Sequence, residues 1–346
     1  MPPAPSTSPR LVLPTLLGRT GDIGLLFSGC AARPAGAESA AVASMVVKTP
    51  AKINLFLKVL GRRPDGYHEL DSLMAPVEVF DRLRLEFPRA HGLCLVCPGH
   101  PELEGPDNLA LRAADAFFRA TGRAPRLRLH LRKNIPLAAG LGGGSSDAGA
   151  TLRALNRHFG RPLAPRRLAK LALRLGADVP FFLRGGPCRA GGVGERLRPV
   201  RLPPFWVVLA FAPFGLSTRE VFERFDRRSR SGKGNKGKNR LTERRDSARE
   251  RPSGGGWSCE RLAENLVNDL QPIGEALHPE IGRVRLELLK AGAAGASMSG
   301  SGPTVFGLFF DGAAAARSLR ALRREGGWTY LVARGVAKEP ADETAT

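Results

Sequence analysis

The sequence predicts an α+β chain of two domains. Three observations carry that expectation. The chain has 346 residues, more than a single hydrophobic core ordinarily organises, and 42% of them are hydrophobic, enough for real cores. From residue 46 to about 203, strand-like and helix-like patterns alternate. After a break in the apolar pattern at 229–257, a shorter second set of patterns resumes. The expected units are an N-terminal domain over 45–203 and a C-terminal domain over 204–336. A basic insertion at about 227–258 interrupts the second domain, and 337–346 is a tail.

Each element follows from local pattern. Residues 1–44 are rich in Pro, Ala, Ser and Gly, and Met45 stands directly before the first strand pattern. Met45 as the true start, with 1–44 a mis-called extension, is the favoured reading. A disordered tail and a targeting segment are the alternatives. The run Leu25–Cys30 resembles a lipoprotein cleavage site, but its upstream region is poor in positive charge and its apolar stretch is broken by Gly and Asp. Strands are expected at 46–60, 73–87, 92–97 and 126–133, and helices at 107–121, 146–159 and 165–175. Asp107 or Asn108 would cap the first helix and Gly122 would close it. Residues 205–212 read as a further apolar strand. The stretch 229–257 has too few apolar residues to bury a core and reads as a disordered insertion. Order resumes over 261–270, then a helix at 279–291 and a strand at 304–310. No apolar run is long enough to span a membrane.

The net charge of +21 raises the question of nucleic acid. Residues 226–258 carry 11 basic and 4 acidic residues, a net +7, and residues 1–44 carry 3 and 2, a net +1. The other +13 is spread over both domains. A diffuse positive field suits an anionic small-molecule substrate better than a specific nucleic-acid site. No nucleic-acid or membrane partner is expected, and the chain is expected to act as a monomer or weak homodimer. Five scattered cysteines make no disulfide framework, which fits a reducing, cytoplasmic compartment. His91, Cys94, Cys97 and His100 have a spacing that hints at zinc. In the strand expected there, residues three apart point to opposite faces, which argues against a shared metal.

The most informative stretch runs from Pro136 through Leu137, Ala138, Ala139, Gly140, Leu141, Gly142, Gly143, Gly144, Ser145 and Ser146 to Gly149. A glycine-rich loop that empties into a helix presents free N–H groups and a positive dipole end, an anion site. No Gly-Lys-Ser/Thr follows it, so it is not a Walker A loop, and Ser145 breaks a dinucleotide fingerprint. The alternative is a flexible surface turn. Lys52 and Asn54 share one face of an apolar strand, where polar groups are costly unless partnered; a solvated edge strand is the alternative. Asp178 stands before a hydrophobic run, as a base that orients a hydroxyl or as an ordinary helix cap. The turn Gly61–His68 offers Tyr67 and His68 to a planar ring, or is a plain hairpin turn. The late loop Ser297–Gly302 offers further backbone donors, or is a tight turn.

Taken in order, Pro-Ala-Lys-Ile-Asn, Asp-Gly-Tyr-His, Gly-Leu-Gly-Gly-Gly-Ser-Ser-Asp-Ala, Gly-Ala-Asp-Val-Pro-Phe-Phe, Asn-Asp-Leu and Gly-Ser-Gly-Pro-Thr resemble the GHMP kinase superfamily. The resemblance covers about residues 46–335, apart from the insertion. It implies a ribosomal protein S5-like N-terminal domain, a ferredoxin-like C-terminal domain and a site between them. It implies ATP as phosphoryl donor, with Mg2+ whose ligands are unassigned. It implies Lys52 and Asp178 as the catalytic pair, Asn54 as a substrate-orienting neighbour and 136–146 as the phosphate loop. The combination of the Gly-Tyr-His turn and the triple-glycine loop separates the chain from homoserine and mevalonate kinases. It implies a cytosine pocket built from Tyr67 and His68, with Phe222 closing over the ring.

Overall fold

The apolar alternation that begins beside Met45 forms one long strand, β1 (Ser44–Arg62). It pairs antiparallel along its whole length with β2 (His68–Glu86). The structure, a computed structural model, describes residues 43–230, 257–322 and 327–336. The expectations for residues 1–42, 231–256 and 337–346 lie outside these. Between β1 and β2, Gly66 takes φ +86 and the Asp65 carboxylate accepts from the Tyr67 N–H at 3.1 Å, which closes the hairpin turn. On the other side of β2 lie β4 (Arg126–Arg132) and, further along, β5 (Cys188–Gly192). β3 (Gly92–Val96) pairs parallel with β4, and β6 (Arg196–Pro199) completes the six-stranded sheet beside β5.

Helices α1 (Leu109–Thr121), α2 (Gly143–His158) and α3 (Pro165–Leu175) cover one end of this sheet. Phe117, Leu129, Leu83 and Leu152 are buried in the core between them. The Asn108 side chain accepts from the Ala110 N–H at 2.9 Å and caps α1, and Gly122 ends it at φ +66. A short fourth helix, α4 (Val179–Arg184), packs beside α2 through the buried Phe181 and Phe182.

The second sheet is β7 (Trp206–Phe211), β8 (Gly295–Met298), β9 (Val305–Phe309) and β10 (Thr329–Arg334), all antiparallel in the order β10-β7-β9-β8. After β7 come α5 (Thr218–Arg230), α6 (Cys259–Glu264), α7 (Gln271–Leu277) and α8 (Glu280–Lys290). After β9 comes α9 (Gly312–Leu322). The strand order 4-1-3-2 with helices in both crossovers is the ferredoxin-like arrangement. Val207, Leu209, Phe306 and Leu308 pack against Ile53, Leu55 and Val77, so the two sheets share a core. The middle of β1 lies at that seam.

Two boundaries differ from the sequence reading. Helix α2 begins at Gly143, not at residue 146, and its first residue packs too closely to leave room for a side chain without a shift. A Cβ at Gly143 would stand 3.1 Å from both the Ile135 side chain and Lys133 Nζ. The insertion also starts later. Residues 227–230 continue α5, whose Arg219–Glu223 and Glu220–Arg224 pairs at i,i+4 support a highly charged helix. At its far edge, Ser258 accepts from the Arg261 N–H at 3.2 Å and caps α6. The zinc-like spacing divides as the strand geometry requires. Cys97 is buried beneath the sheet, where burial pushes its thiol up to about 11, and Cys94 is only half-buried. His91 meets Arg126 and His100 meets Glu102.

Candidate active site

The site grows from three backbones that meet at the seam. Lys52 N–H donates to the Leu141 carbonyl at 2.9 Å, which ties the glycine-rich loop to β1. Asn54 N–H donates to Ser299 Oγ at 3.3 Å, and that hydroxyl donates to the Gly140 carbonyl at 3.2 Å. The late loop therefore closes over the phosphate loop. Asn268 holds it there, its amide donating to the Met298 and Gly300 carbonyls at 2.8 Å each. Gly140 must be glycine for this approach: at φ +74, a Cβ would stand 2.5 Å from the Ser299 carbonyl oxygen.

These segments enclose a cavity of about 450 Å3. Pro136, Leu137, Ala138, Ala139, Gly140, Leu141, Gly142, Gly143, Gly144 and Ser145 line one wall. Gly142, at φ +72, stands at the start of α2, so the unpaired N–H groups of the first turn face this region. Ser146 lies one step behind, buried, and its hydroxyl has no hydrogen-bond partner. Lys52, Asn54 and Asp178 line the same cavity.

Lys52 is 4% exposed. Burying an unpaired ammonium costs several kcal/mol. Its partners are Asn54, whose Oδ1 accepts from Nζ at 2.6 Å, and Asp178, whose Oδ2 stands 3.7 Å away. Asn54 is fixed in turn, donating to Ser72 Oγ at 2.8 Å, and Ser72 donates to the Phe56 carbonyl at 2.7 Å. Asp178 occupies the position before α4 but its side chain caps nothing, so the carboxylate faces Lys52 rather than its own helix.

The sequence-predicted aromatics divide. His68 and Phe222 stack, centroids 4.7 Å apart, and Phe222 reaches the cavity wall. Tyr67 is 64% exposed on the hairpin turn and joins no ring contact among the described residues. His68 Nε2 is 2.8 Å from Asp226 Oδ1, one helical turn beyond Phe222 on α5. No pattern in the sequence marks Asp226.

A second set of residues escaped the sequence reading. Lys133 lies beneath the loop between the buried carboxylates of Asp81 and Asp147, contacting Asp81 closely and Asp147 at 3.0 Å. Asp81 also accepts from the Asn134 and Ile135 N–H groups at 2.6 and 2.8 Å, so it braces the strand that leads into the loop. Thr49 donates to Asp147 at 2.7 Å. Two carboxylates share one ammonium here. Burial raises Asp147 to about 6, against the lowering pull of Lys133. For Lys133, burial alone would lower the pKa; the two carboxylates more than offset it and leave it raised. The signal in the sequence was a lysine two residues before Ile135-Pro136 and an aspartate directly after Ser-Ser.

The model for the GHMP kinases N terminal domain matches residues 108–186, and that for the GHMP kinases C terminal matches 256–327. The chain is 42% identical over 296 residues to 4-diphosphocytidyl-2-C-methyl-D-erythritol kinase of Syntrophotalea carbinolica, covering 85% of this chain and 98% of that protein. This chain belongs to the GHMP kinases. A GHMP kinase of the same description from Pelotomaculum thermopropionicum is 43% identical over 263 residues, 75% of this chain and 88% of its own. Among solved structures, a 4-(cytidine 5'-diphospho)-2C-methyl-D-erythritol kinase aligns with TM-score 0.65 at 37% identity, over 84% of this chain and 100% of its own. A homoserine kinase from Cytophaga hutchinsonii aligns with TM-score 0.67 at 18% identity, over 88% and 98%, a likeness of fold alone. The two-domain GHMP kinase fold expected from the motifs is the fold observed.

The unequal roles of the two buried carboxylates give a prediction. Asp81→Asn leaves the loop N–H groups and Lys133 poorly matched and lowers the unfolding free energy by about 3 kcal/mol or more, whereas Asp147→Asn costs less. Asp147 has a folded pKa above its unfolded one, so its contribution to stability is full at low pH and is lost as pH rises through about 6. Urea denaturation will therefore find the parent gaining stability relative to Asp147→Asn between pH 7.5 and pH 5. A larger loss for Asp147→Asn than for Asp81→Asn, or the opposite pH trend, contradicts the assignment.

Proposed function

We propose that this chain transfers the γ-phosphoryl group of ATP to the 2-hydroxyl of 4-diphosphocytidyl-2-C-methyl-D-erythritol, giving the 2-phosphate and ADP, a step of non-mevalonate isoprenoid precursor synthesis. The observation that carries this reading is one cavity containing both an anion-binding loop and a Lys52–Asp178 pair 3.7 Å apart. The 42% identity to a relative of that name supports the acceptor.

Phosphoryl transfer asks the protein mainly to position reactants and offset charge. The N–H groups of 140–144 and the α2 dipole hold the phosphates. An ammonium has three donors, and Asn54 takes one of those on Lys52, which leaves the others for the transferring phosphoryl and the acceptor oxygen. Asp178, 36% exposed, accepts or orients the acceptor proton. Asn54 orients the acceptor beside Lys52. His68 and Phe222 are already in ring contact, so cytosine stacks on an outer face of the pair and Tyr67 covers it from the turn. Asp226 holds the His68 imidazole in place.

A magnesium ion on the nucleotide phosphates would offset their negative charge. Asp178 and Ser145, both on the cavity wall, carry oxygens that would suit such an ion, and the unpartnered Ser146 hydroxyl follows Ser145 in the chain.

Two measurements test the reading. In an ADP-coupled assay, kcat/KM for the cytidylyl-methylerythritol exceeds that for mevalonate or homoserine by at least about 100-fold, because a site built to bind a polar ring rejects acceptors without one. Equal use of either small acceptor overturns the substrate assignment. Asp178→Asn keeps the parental urea midpoint and loses at least about 100-fold in kcat. Near-parental turnover removes Asp178 from the mechanism.

A further inference from the structure

At the end of α2 away from the phosphate loop, the structure holds a second cavity, a groove of about 610 Å3 between α2, α3, α4 and β6. Its size is that of a small-molecule pocket. Its composition is unusual. Leu163, Leu168 and Leu183 give it an apolar wall, and Arg153, Arg161 and Arg184 stand around it. The acidic group on its lining is Glu195, and that carboxylate already accepts from the Val193 N–H at 2.7 Å. The charge is regional: residues 153–175 carry seven Lys or Arg and no Asp or Glu.

The groove is also rigidly built. Arg161 is a non-glycine residue at φ +61, directly after Gly160 at φ +74. The buried Asn156 pins this turn. Its carbonyl accepts from the Arg161 N–H at 2.6 Å, its side-chain oxygen accepts from the Leu163 N–H at 3.0 Å, and its amide donates to the Leu163 carbonyl at 3.1 Å. A left-handed conformation costs a side-chain-bearing residue about 1 kcal/mol or more, and such conformations cluster at functional sites. Here it presents a guanidinium at the rim of an apolar pocket.

We propose that this groove is a binding site for a small amphipathic anion, with an aliphatic chain on the leucine wall and a phosphate or carboxylate among Arg153, Arg161 and Arg184. Charge complementarity selects the head group, since guanidinium forks match both oxyanions. The apolar wall selects the chain. The site also has a physical route to the active cavity. Arg153 donates to the Phe182 carbonyl at 3.0 Å, and Pro180 of the same short helix lines the groove. On its other side the Phe182 ring packs against Gly142 of the phosphate loop, close enough that a Cβ there would stand 2.9 Å away. Asp178 precedes this helix.

Calorimetric titration of the full chain tests the site, independently of which acceptor the enzyme phosphorylates. Octyl phosphate and octanoate are the head-group probes; octanol and inorganic phosphate are the half-ligands. Saturable binding of an octyl anion at one site is expected, with octanol and inorganic phosphate each at least about tenfold weaker, the worth of one charged hydrogen bond or a few buried methylenes. Whichever of octyl phosphate and octanoate binds tighter identifies the head group. Arg161→Gly with Arg184→Gln reduces the affinity at least about tenfold and leaves kcat without added ligand within about twofold. Ala169→Glu, an exposed helical position on the groove wall, does the same with little risk to folding. Binding unchanged in both variants, octanol binding as tightly as the octyl anions, or no saturation below about 1 mM overturns the proposal.

Discussion

A buried ammonium in the middle of the longest strand sets the terms for the rest of the structure. Lys52 lies on β1 at the seam of two sheets, only 4% exposed. The chain gives it two oxygen partners: Asn54 two residues along the strand and Asp178 before α4. Each of these groups needs its own support, and the support comes from distant sequence. Ser72 holds Asn54, Ser299 links Asn54 to Gly140, and Asn268 holds the loop that contains Ser299.

The phosphate loop depends on the same frame. Glycines are needed there less for mobility than for close approach. Gly140 meets the late loop, Gly142 meets the Phe182 ring and the Lys52 stem, and Gly143 meets Ile135 and Lys133. The start of α2 is thereby placed within reach of Lys52 instead of pointing into solvent. Beneath it, the Asp81–Lys133–Asp147 cluster braces the strand that enters the loop. The loop presents backbone N–H groups to the cavity, and buried charges outside the motif hold it beside Lys52.

Much of this was legible in sequence. The alternation around Lys52 and Asn54 marked two polar residues on one strand face, and a polar pair there needs partners, which is what the seam provides. Asn108 and Gly122 bounded α1 by their own chemistry. The start of α2 was less legible, because glycine propensity argues against helix and the packing that favours it comes from β4 and α4. The extent of α5 was hidden by its charge, since i,i+4 pairing and two phenylalanines sustain a helix that composition assigns to disorder. Asp81, Asp226 and Asn268 act across 52, 158 and 30 residues of sequence separation, and local patterning carries no trace of such pairings.

The central claim is that Lys52 is buried for chemistry rather than for stability. Kinetics and urea denaturation of Lys52→Met in the full chain separate the two. Removing one partner of a buried ion pair is costly only when the other is left dry, and Asp178, 36% exposed, can take up water once Lys52 is apolar, whereas removing transition-state charge stabilisation costs about 100- to 1,000-fold in rate. The account predicts an unfolding free energy equal to or above that of the parent, with kcat reduced at least about 100-fold. A variant that turns over at the parental rate contradicts it, as does one whose lost activity merely follows a lost fold.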